Sequence, residues 1–387
     1  MFHALRLLTS GPPTPSTEHP TPAIIAKGTH MPRIDSIKTY SLDLPLKDPF
    51  ETAKGRKTVS PAVIVELGLS NGQVGLGSAT PVKYVTGEDV ESVLAAIDSC
   101  RPMIQDADVS SYRLLWSAFG EALSKHPSAR AALETAVLDG FCKTYGMPMS
   151  GFFGGCLSEV ETDLTIPIVE PETARELAKE AAAKGFNYLK IKVGGSDAEE
   201  DLARVFAVSE GAPMSSIRLD ANQGFTPETA IGFVSKLQNA GVKIDMLEQP
   251  VDRDDLEGLK YVTQHTNVPV LADEAVVCPA DALKLVRMEA VDGINIKLMK
   301  AGIPGALDII SICRAAGKEL MLGSMIETGI GAATSVHFAA GTGAFTRLDL
   351  DSHLLAAEEP FPGGFTYEGP FLRANNEAAG HGAKCKG

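Results

Sequence analysis

The chain has 387 residues, 44% apolar, 22% charged and 6% aromatic, the make-up of an ordinary globular protein, which excludes disordered, collagen-like and disulfide-scaffold classes. Its 35 basic against 49 acidic side chains give a formal charge of −14, the wrong sign for tracking nucleic-acid phosphates or lying on an anionic membrane. No apolar run approaches the ~20 residues that cross a bilayer, and six scattered cysteines without a CxxC pair read as reduced, mostly buried thiols rather than a disulfide or zinc framework.

Residues 1–31 hold five prolines, few charges and no sustained periodicity, so they read as a disordered N-terminal tail. A transit peptide and an upstream start site both fit such a segment, and the expected compartment is the cytoplasm. From Ile34 the sequence IDSIKTYSLDLPL predicts a strand, KDPFETAKGRKTVSP a connection, and AVIVELGLS a second strand ending at the Asn71-Gly72 turn, together an antiparallel sheet. Helical spacing follows in 90–100, 112–123 and 129–145, making 32–155 an α+β domain. Beyond Gly155 the segments DLTIPIV, YLKIKVG, IRLDAN, DMLEQPV, VPVLADE, GINIKLM, ELMLGSM and FTRLDLD alternate with amphipathic helices. Eight such units over 156–360 predict a (β/α)₈ barrel, with an open doubly wound sheet as the alternative. Residues 375–387, small and polar, are predicted to be a flexible tail.

The predicted strands end in residues that a core does not need: Thr165, Lys190 and Lys192, Asp220 and Asn222, Glu248, Asp273 and Glu274, Lys297, Ser324, and Asp349 with Asp351. One strand-helix repeat, 24 to 28 residues, separates successive members, so a barrel would gather them at its carboxyl-end mouth. Asp220, Glu248 and Asp273 would converge from three successive strands, where three like charges call for a cation, and hard oxygen ligands suit Mg²⁺. Taken singly, each acid could instead pair with a base or cap a helix. Lys192 and Lys297 would face each other across the barrel, with Lys190 supplying a like charge that lowers the pKa of Lys192. A metal flanked by two opposed amines is suited to removing a proton beside a carboxylate and returning it to the other face.

The segments YLKIKVGG (188–195), IRLDANQGF (217–225), MLEQPV (246–251), VLADEAV (270–276), GINIKLMKAGI (293–303) and GSMIETGIG (323–331) resemble the muconate-lactonizing subgroup of the enolase superfamily over residues 32–373. The resemblance implies an N-terminal α+β capping domain over a (β/α)₇β TIM-like barrel, one helix fewer than the pattern alone counts. It also implies that residues 361–374 return to the cap. DLDSHLL (349–355) is similar to the DxD signature of dipeptide epimerases, implying that Asp349 and Asp351 grip a substrate ammonium. The implied reaction is Mg²⁺-dependent epimerisation of L,L-dipeptides to L,D-dipeptides at the C-terminal residue, with Lys192 and Lys297 as acid and base and a metal-stabilised enolate between them. One Mg²⁺ per subunit would be held by Asp220, Glu248 and Asp273, with Asn222 and Glu274 orienting the ligands. Substrate contacts would come from Lys190, Thr165, Ser324, Ile326 and, on the loop PFETAKGRKT (49–58), from Arg56 toward an acidic side chain. N-succinylamino acid racemisation, o-succinylbenzoate synthesis and cycloisomerisation would use the same lysines and metal, but their substrates lack the ammonium that two acids favour. A non-enzymatic barrel scaffold ranks last, since no base or ligand is missing. Neither a nucleic acid nor a membrane is expected as partner; a homo-oligomer is compatible with such a barrel.

Overall fold

Regular structure begins where strand-forming sequence begins. In the computed structural model, whose described residues are 31–52, 55–195 and 197–386, β1 (Ile34–Thr52) and β2 (Gly55–Leu69) form a long antiparallel hairpin. β3 (Val74–Ala79) pairs with β2 after the expected turn, in which Gly72 takes φ +80°. The segment expected as a connection is the hairpin itself: pairing breaks after Pro45–Val59 and resumes at Phe50–Lys57, followed by Glu51–Arg56 and Thr52–Gly55. The break is a bulge that re-aims the hairpin tip.

Helix Pro127–Thr144 is buried on nearly every side and packs against both β3 and helix Leu298–Ala316, so it joins the cap to the barrel. Contact is backbone-close: a Cβ on Gly77 would sit 2.0 Å from the Ala132 carbonyl oxygen.

After a short β4 (Val160–Glu161) come eight parallel strands, each neighbouring the next in chain order. They are β5 (Leu164–Ile166), β6 (Tyr188–Lys192), β7 (Ser216–Asp220), β8 (Ile244–Glu248), β9 (Val270–Ala272), β10 (Gly293–Lys297), β11 (Glu319–Gly323) and β12 (Arg347–Asp349). Hydrogen bonds staple the seam between β12 and β5: the Asp163 N–H donates to Leu348 O (3.1 Å), Leu350 N–H to Thr162 Oγ1 (2.7 Å), and Thr165 N–H to Asp351 Oδ2 (2.7 Å). A nearly closed barrel therefore replaces the open-sheet alternative. Seven helices connect the eight strands; after β12 there is a single turn, Ser352–Leu355, so the eighth strand-helix unit is not formed.

The chain then makes β13 (Phe365–Glu368) and β14 (Phe371–Ala374), which pair with β4 rather than with the cap sheet. Phe361 of the 361–374 segment packs with Ile64 and Leu76 of the cap sheet, and the segment beyond, expected to fray, reaches the cap as well. His381 is fully buried, its N–H donates to Asp139 Oδ1 (3.0 Å), its Nε2 lies 3.1 Å from Leu76 O, and its Nδ1 accepts from Ala383 N–H (3.1 Å). Small residues read as a tail here because their partners lie over 200 positions upstream. The cysteines are unpaired as expected, but only Cys100, Cys142 and Cys313 are buried; Cys156 and Cys385 are exposed. Among the described residues no helix is long and apolar enough to cross a membrane.

Candidate active site

Side chains two apart on a strand share a face, so Lys190 and Lys192 both leave β6 toward the barrel mouth and meet the same oxygen, Asp220 Oδ2, at 3.0 and 2.5 Å. Lys190 is wholly buried, with its Nζ 2.7 Å from Asp349 Oδ2 and 2.9 Å from Glu248 Oε2 as well. Across the barrel on β10, Lys297 donates to Asp273 Oδ2 (2.8 Å). Lys300, just beyond that strand, donates to Asp273 Oδ1 (2.6 Å) and to Asn295 O (3.2 Å). The Asn295 amide donates to Glu248 Oε1 (2.8 Å), and the Asn222 amide to Glu274 Oε1 (3.2 Å).

These contacts set the charges. Burial favours neutral carboxyls at Asp220 and Asp273, but the lysines beside each outweigh it and hold both well below the usual carboxylate range. Glu248 is pushed up to about 7 by burial and by the neighbouring Asp220. Burial opposes the charge of Lys297, yet Asp273 keeps its ammonium well above the ordinary lysine value. Lys190 is likewise held charged, against its burial, by Asp220, Asp349 and Glu248. Three carboxylates thus surround the Lys190 ammonium that lies beside Lys192.

Asp220, Glu248 and Asp273 are all buried at the ends of adjacent strands. Among the described residues no three acids are drawn together in ligating geometry, because Asp220 turns to Lys190 and Lys192 while Asp273 turns to Lys297 and Lys300. The donor set nonetheless fits a hard divalent cation: three buried carboxylates, one of them carrying an oxygen, Glu248 Oε2, that accepts no hydrogen bond even though the Lys190 ammonium is near. Glu274 Oε2 and Asn222 Oδ1 are two further buried acceptors without a donor.

One cavity gathers Thr165, Lys192, Lys297, Ser324, Ile326, Asp349 and Asp351. Asp351 accepts from the Thr165 backbone and is pushed up to about 6 by burial and by Asp349, while Asp349 faces Lys190. The Ser60 hydroxyl donates to Ile326 O (2.7 Å), tying the hairpin to the strand-end loop. Arg56 is not in this cavity. It lies on the other face of the hairpin with its cross-strand partner Glu51, lining a larger neighbouring groove of about 1370 Å³ that holds none of the lysines or carboxylates just described. The next residue, Lys57, faces the cavity with Phe50, and Tyr84 from the turn Lys83–Thr86 completes that wall. Sequence reasoning missed Lys300, Asn295, Lys57 and Tyr84; of these, Asn295 was accessible by strand parity, two residues before Lys297.

Comparison with known proteins agrees with this arrangement. Residues 36–154 match the N-terminal domain of mandelate racemase / muconate lactonizing enzymes and residues 172–386 an enolase C-terminal domain-like model. The chain is 38% identical over 340 residues to an L-Ala-D/L-Glu epimerase of Bacillus subtilis (87% of this chain, 93% of the relative). It is 37% identical over 349 residues to an aromatic dipeptide epimerase of Herpetosiphon aurantiacus (90% and 98%). Its fold superposes, with a TM-score of 0.87, 37% identity and coverage of 91% and 99%, on a dipeptide epimerase from Enterococcus faecalis complexed with Mg and the dipeptide L-Leu-L-Tyr. The chain thus belongs to the mandelate racemase / muconate lactonizing enzyme family of the enolase superfamily.

Proposed function

We propose that the protein is an isomerase that epimerises L,L-dipeptides to L,D-dipeptides at the C-terminal residue by a two-base proton transfer. The observation that carries this is one cavity with Lys192 and Lys297 on strands four apart in an eight-stranded barrel, and a pair of acids, Asp349 at the end of the strand that closes the seam and Asp351 two residues beyond it. Asp349 and Asp351 take the dipeptide's free ammonium, a good match for two carboxylates lining one cavity. Lys190 holds Asp349 in place and carries its compensating charge. With the ammonium fixed, the α-carbon of the second residue lies between the two lysines. One lysine, as free amine, takes the α-proton, and the C–H electron pair passes into the adjoining carboxylate. The other, as ammonium, gives a proton to the opposite face, so one C–H bond breaks, one forms, and the configuration inverts. A Mg²⁺ ion held by Asp220, Glu248 and Asp273 would supply the positive charge that makes the α-proton acidic enough to leave. Asn295 and Lys300 orient Glu248 and Asp273, as outer partners of metal ligands do.

The test is proton NMR of the protein with Mg²⁺ in D₂O on L-Ala-L-Glu, L-Ala-L-Leu and L-Ala-L-Lys, with N-succinyl amino acids as controls. The α-proton signal of the C-terminal residue is expected to disappear as the L,D epimer appears. Lys192→Ala and Lys297→Ala should each lower epimerisation by about 10²–10⁴-fold, while one of them still exchanges the α-proton of a single epimer. Full epimerase activity in either variant, or exchange confined to the N-succinyl compounds, would overturn the reading.

A further inference from the structure

The cavity contains a cation that this chemistry does not use. Lys57 is half-buried on β2, its ammonium 5.3 Å from the centroid of the Tyr84 ring. Among the described residues no carboxylate lies within ion-pair distance of it, and burial alone pulls its pKa down. Every other lysine described at the site has an acid within 3 Å. A desolvated, unpaired cation aimed into a substrate cavity is costly unless an anion arrives with the substrate.

Where that anion sits follows from the tetrahedral geometry of the reacting carbon, on the reading proposed above. Its proton must lie along the line between Lys192 and Lys297. Its carboxylate points into the barrel toward Asp220, Glu248 and Asp273, and its amide nitrogen leads to the first residue, whose ammonium is on Asp349 and Asp351. The fourth direction, that of the side chain, is the remaining one: outward to the cap, where Phe50, Lys57 and Tyr84 line the cavity. Tyr84 lines the same cavity as Lys192 and Lys297. We infer that Lys57, and not its neighbour Arg56, contacts the side chain of the residue being inverted and selects dipeptides whose C-terminal residue is acidic. Strand parity enforces the distinction, since Arg56 faces the opposite side of the hairpin.

The test compares L-Ala-L-Glu with its uncharged isostere L-Ala-L-Gln on the full-length, Mg²⁺-loaded protein, measuring kcat and KM separately by circular dichroism or NMR. The wild type should favour the acid in kcat/KM by about tenfold or more. Lys57→Met should bring that ratio to within about threefold of unity, with the loss in KM, because a contact made equally in ground and transition states sets binding. Lys57→Glu should move the preference to L-Ala-L-Lys, and Arg56→Met should leave the Glu/Gln ratio within about threefold of wild type. A wild type that turns over dipeptides without telling Glu from Gln, or a ratio that collapses in Arg56→Met instead, would overturn the assignment to Lys57 and leave the epimerase reading standing. Failure of every dipeptide with the wild type would overturn both.

Discussion

The C-terminal segment is clamped by imidazoles that must stay neutral, which predicts an acid sensitivity of definite size. His337, on helix Gly329–Thr342, is wholly buried; its Nδ1 accepts from the Ser150 N–H (3.1 Å) and its Nε2 lies 3.0 Å from Gly364 O. That pattern requires the Nε2–H tautomer, and a proton on Nδ1 would face a backbone donor. Burial pushes His337 from the ordinary 6.5 down to about 4. Above pH 6.5 neither the folded nor the unfolded form is charged, so the group has no effect. As the pH falls below 6.5 the unfolded imidazole gains a proton that the folded one refuses, and stability drains until the folded value is reached. The loss from this one residue is about 2 kcal/mol at pH 5 and about 3.4 kcal/mol below pH 4. Urea unfolding followed by Trp116 fluorescence at pH 7.5, 6 and 5 measures it. His337→Leu destabilises the protein at every pH, because Ser150 N–H and Gly364 O lose their partner. Its fall in stability between pH 7.5 and 5 should nonetheless be smaller than the wild type's by about 2 kcal/mol. Equal falls in the two proteins would refute the reasoning, as would an imidazole NMR titration of His337 centred near 6.5.

Arg218 is buried between Asp163 (2.9 Å) and Asp245 (2.9 Å) beneath the barrel mouth, so Arg218→Met should cost about 3–5 kcal/mol in urea unfolding by stranding a buried carboxylate; a cost under about 1 kcal/mol would show that Arg347, which also reaches Asp245, suffices. Gly77→Ala must push β3 off the Ala132 carbonyl and should lose about 1–3 kcal/mol, whereas Gly120→Ala, a helical position with nothing within 4 Å of the new Cβ, should gain about 0.5–1 kcal/mol in the same thermal melts.

The strand ends were legible because a barrel converts a one-dimensional period into a ring: a residue every 24 to 28 positions lands at one mouth, and the acids and lysines read there do meet. What could not be read depends on things that the period does not carry. Whether Arg56 or Lys57 faces the site is a question of pleat parity, and the bulge between Pro45 and Phe50 resets that parity partway along β1. Lys300 lies past the strand in a segment where Gly302 takes φ +66°, and only the turn of that backbone brings its ammonium back to Asp273. A Cβ on Gly302 would meet Glu134 Oε2 at 2.2 Å, so the cap helix and this loop have to be known together. His381 sits in a stretch of glycine and alanine with no periodicity at all; its place is fixed by Asp139, 242 positions away.

The charges at the mouth also constrain what can bind as a set. Four buried lysines, Lys190, Lys192, Lys297 and Lys300, face six buried carboxylates, Asp220, Glu248, Asp273, Glu274, Asp349 and Asp351, leaving two formal negative charges. A divalent cation held by three of those acids would bring the mouth to neutrality while all four lysines are protonated, and on the proposed reading a zwitterionic dipeptide leaves that sum unchanged, its ammonium answering one end of the cavity and its carboxylate the other. Nothing in that balance involves the cap. The single positive charge that the described cap residues add to the cavity, Lys57, therefore lies outside the charge requirement of the reaction, and the group that would complete it is a single negative charge on the substrate's variable side chain. On the proposed reading, proton transfer belongs to the barrel and the choice of dipeptide to the hairpin above it, which is why Lys57→Met should shift the ranking of substrates whereas Lys192→Ala and Lys297→Ala should lower turnover of all of them by about 10²–10⁴-fold.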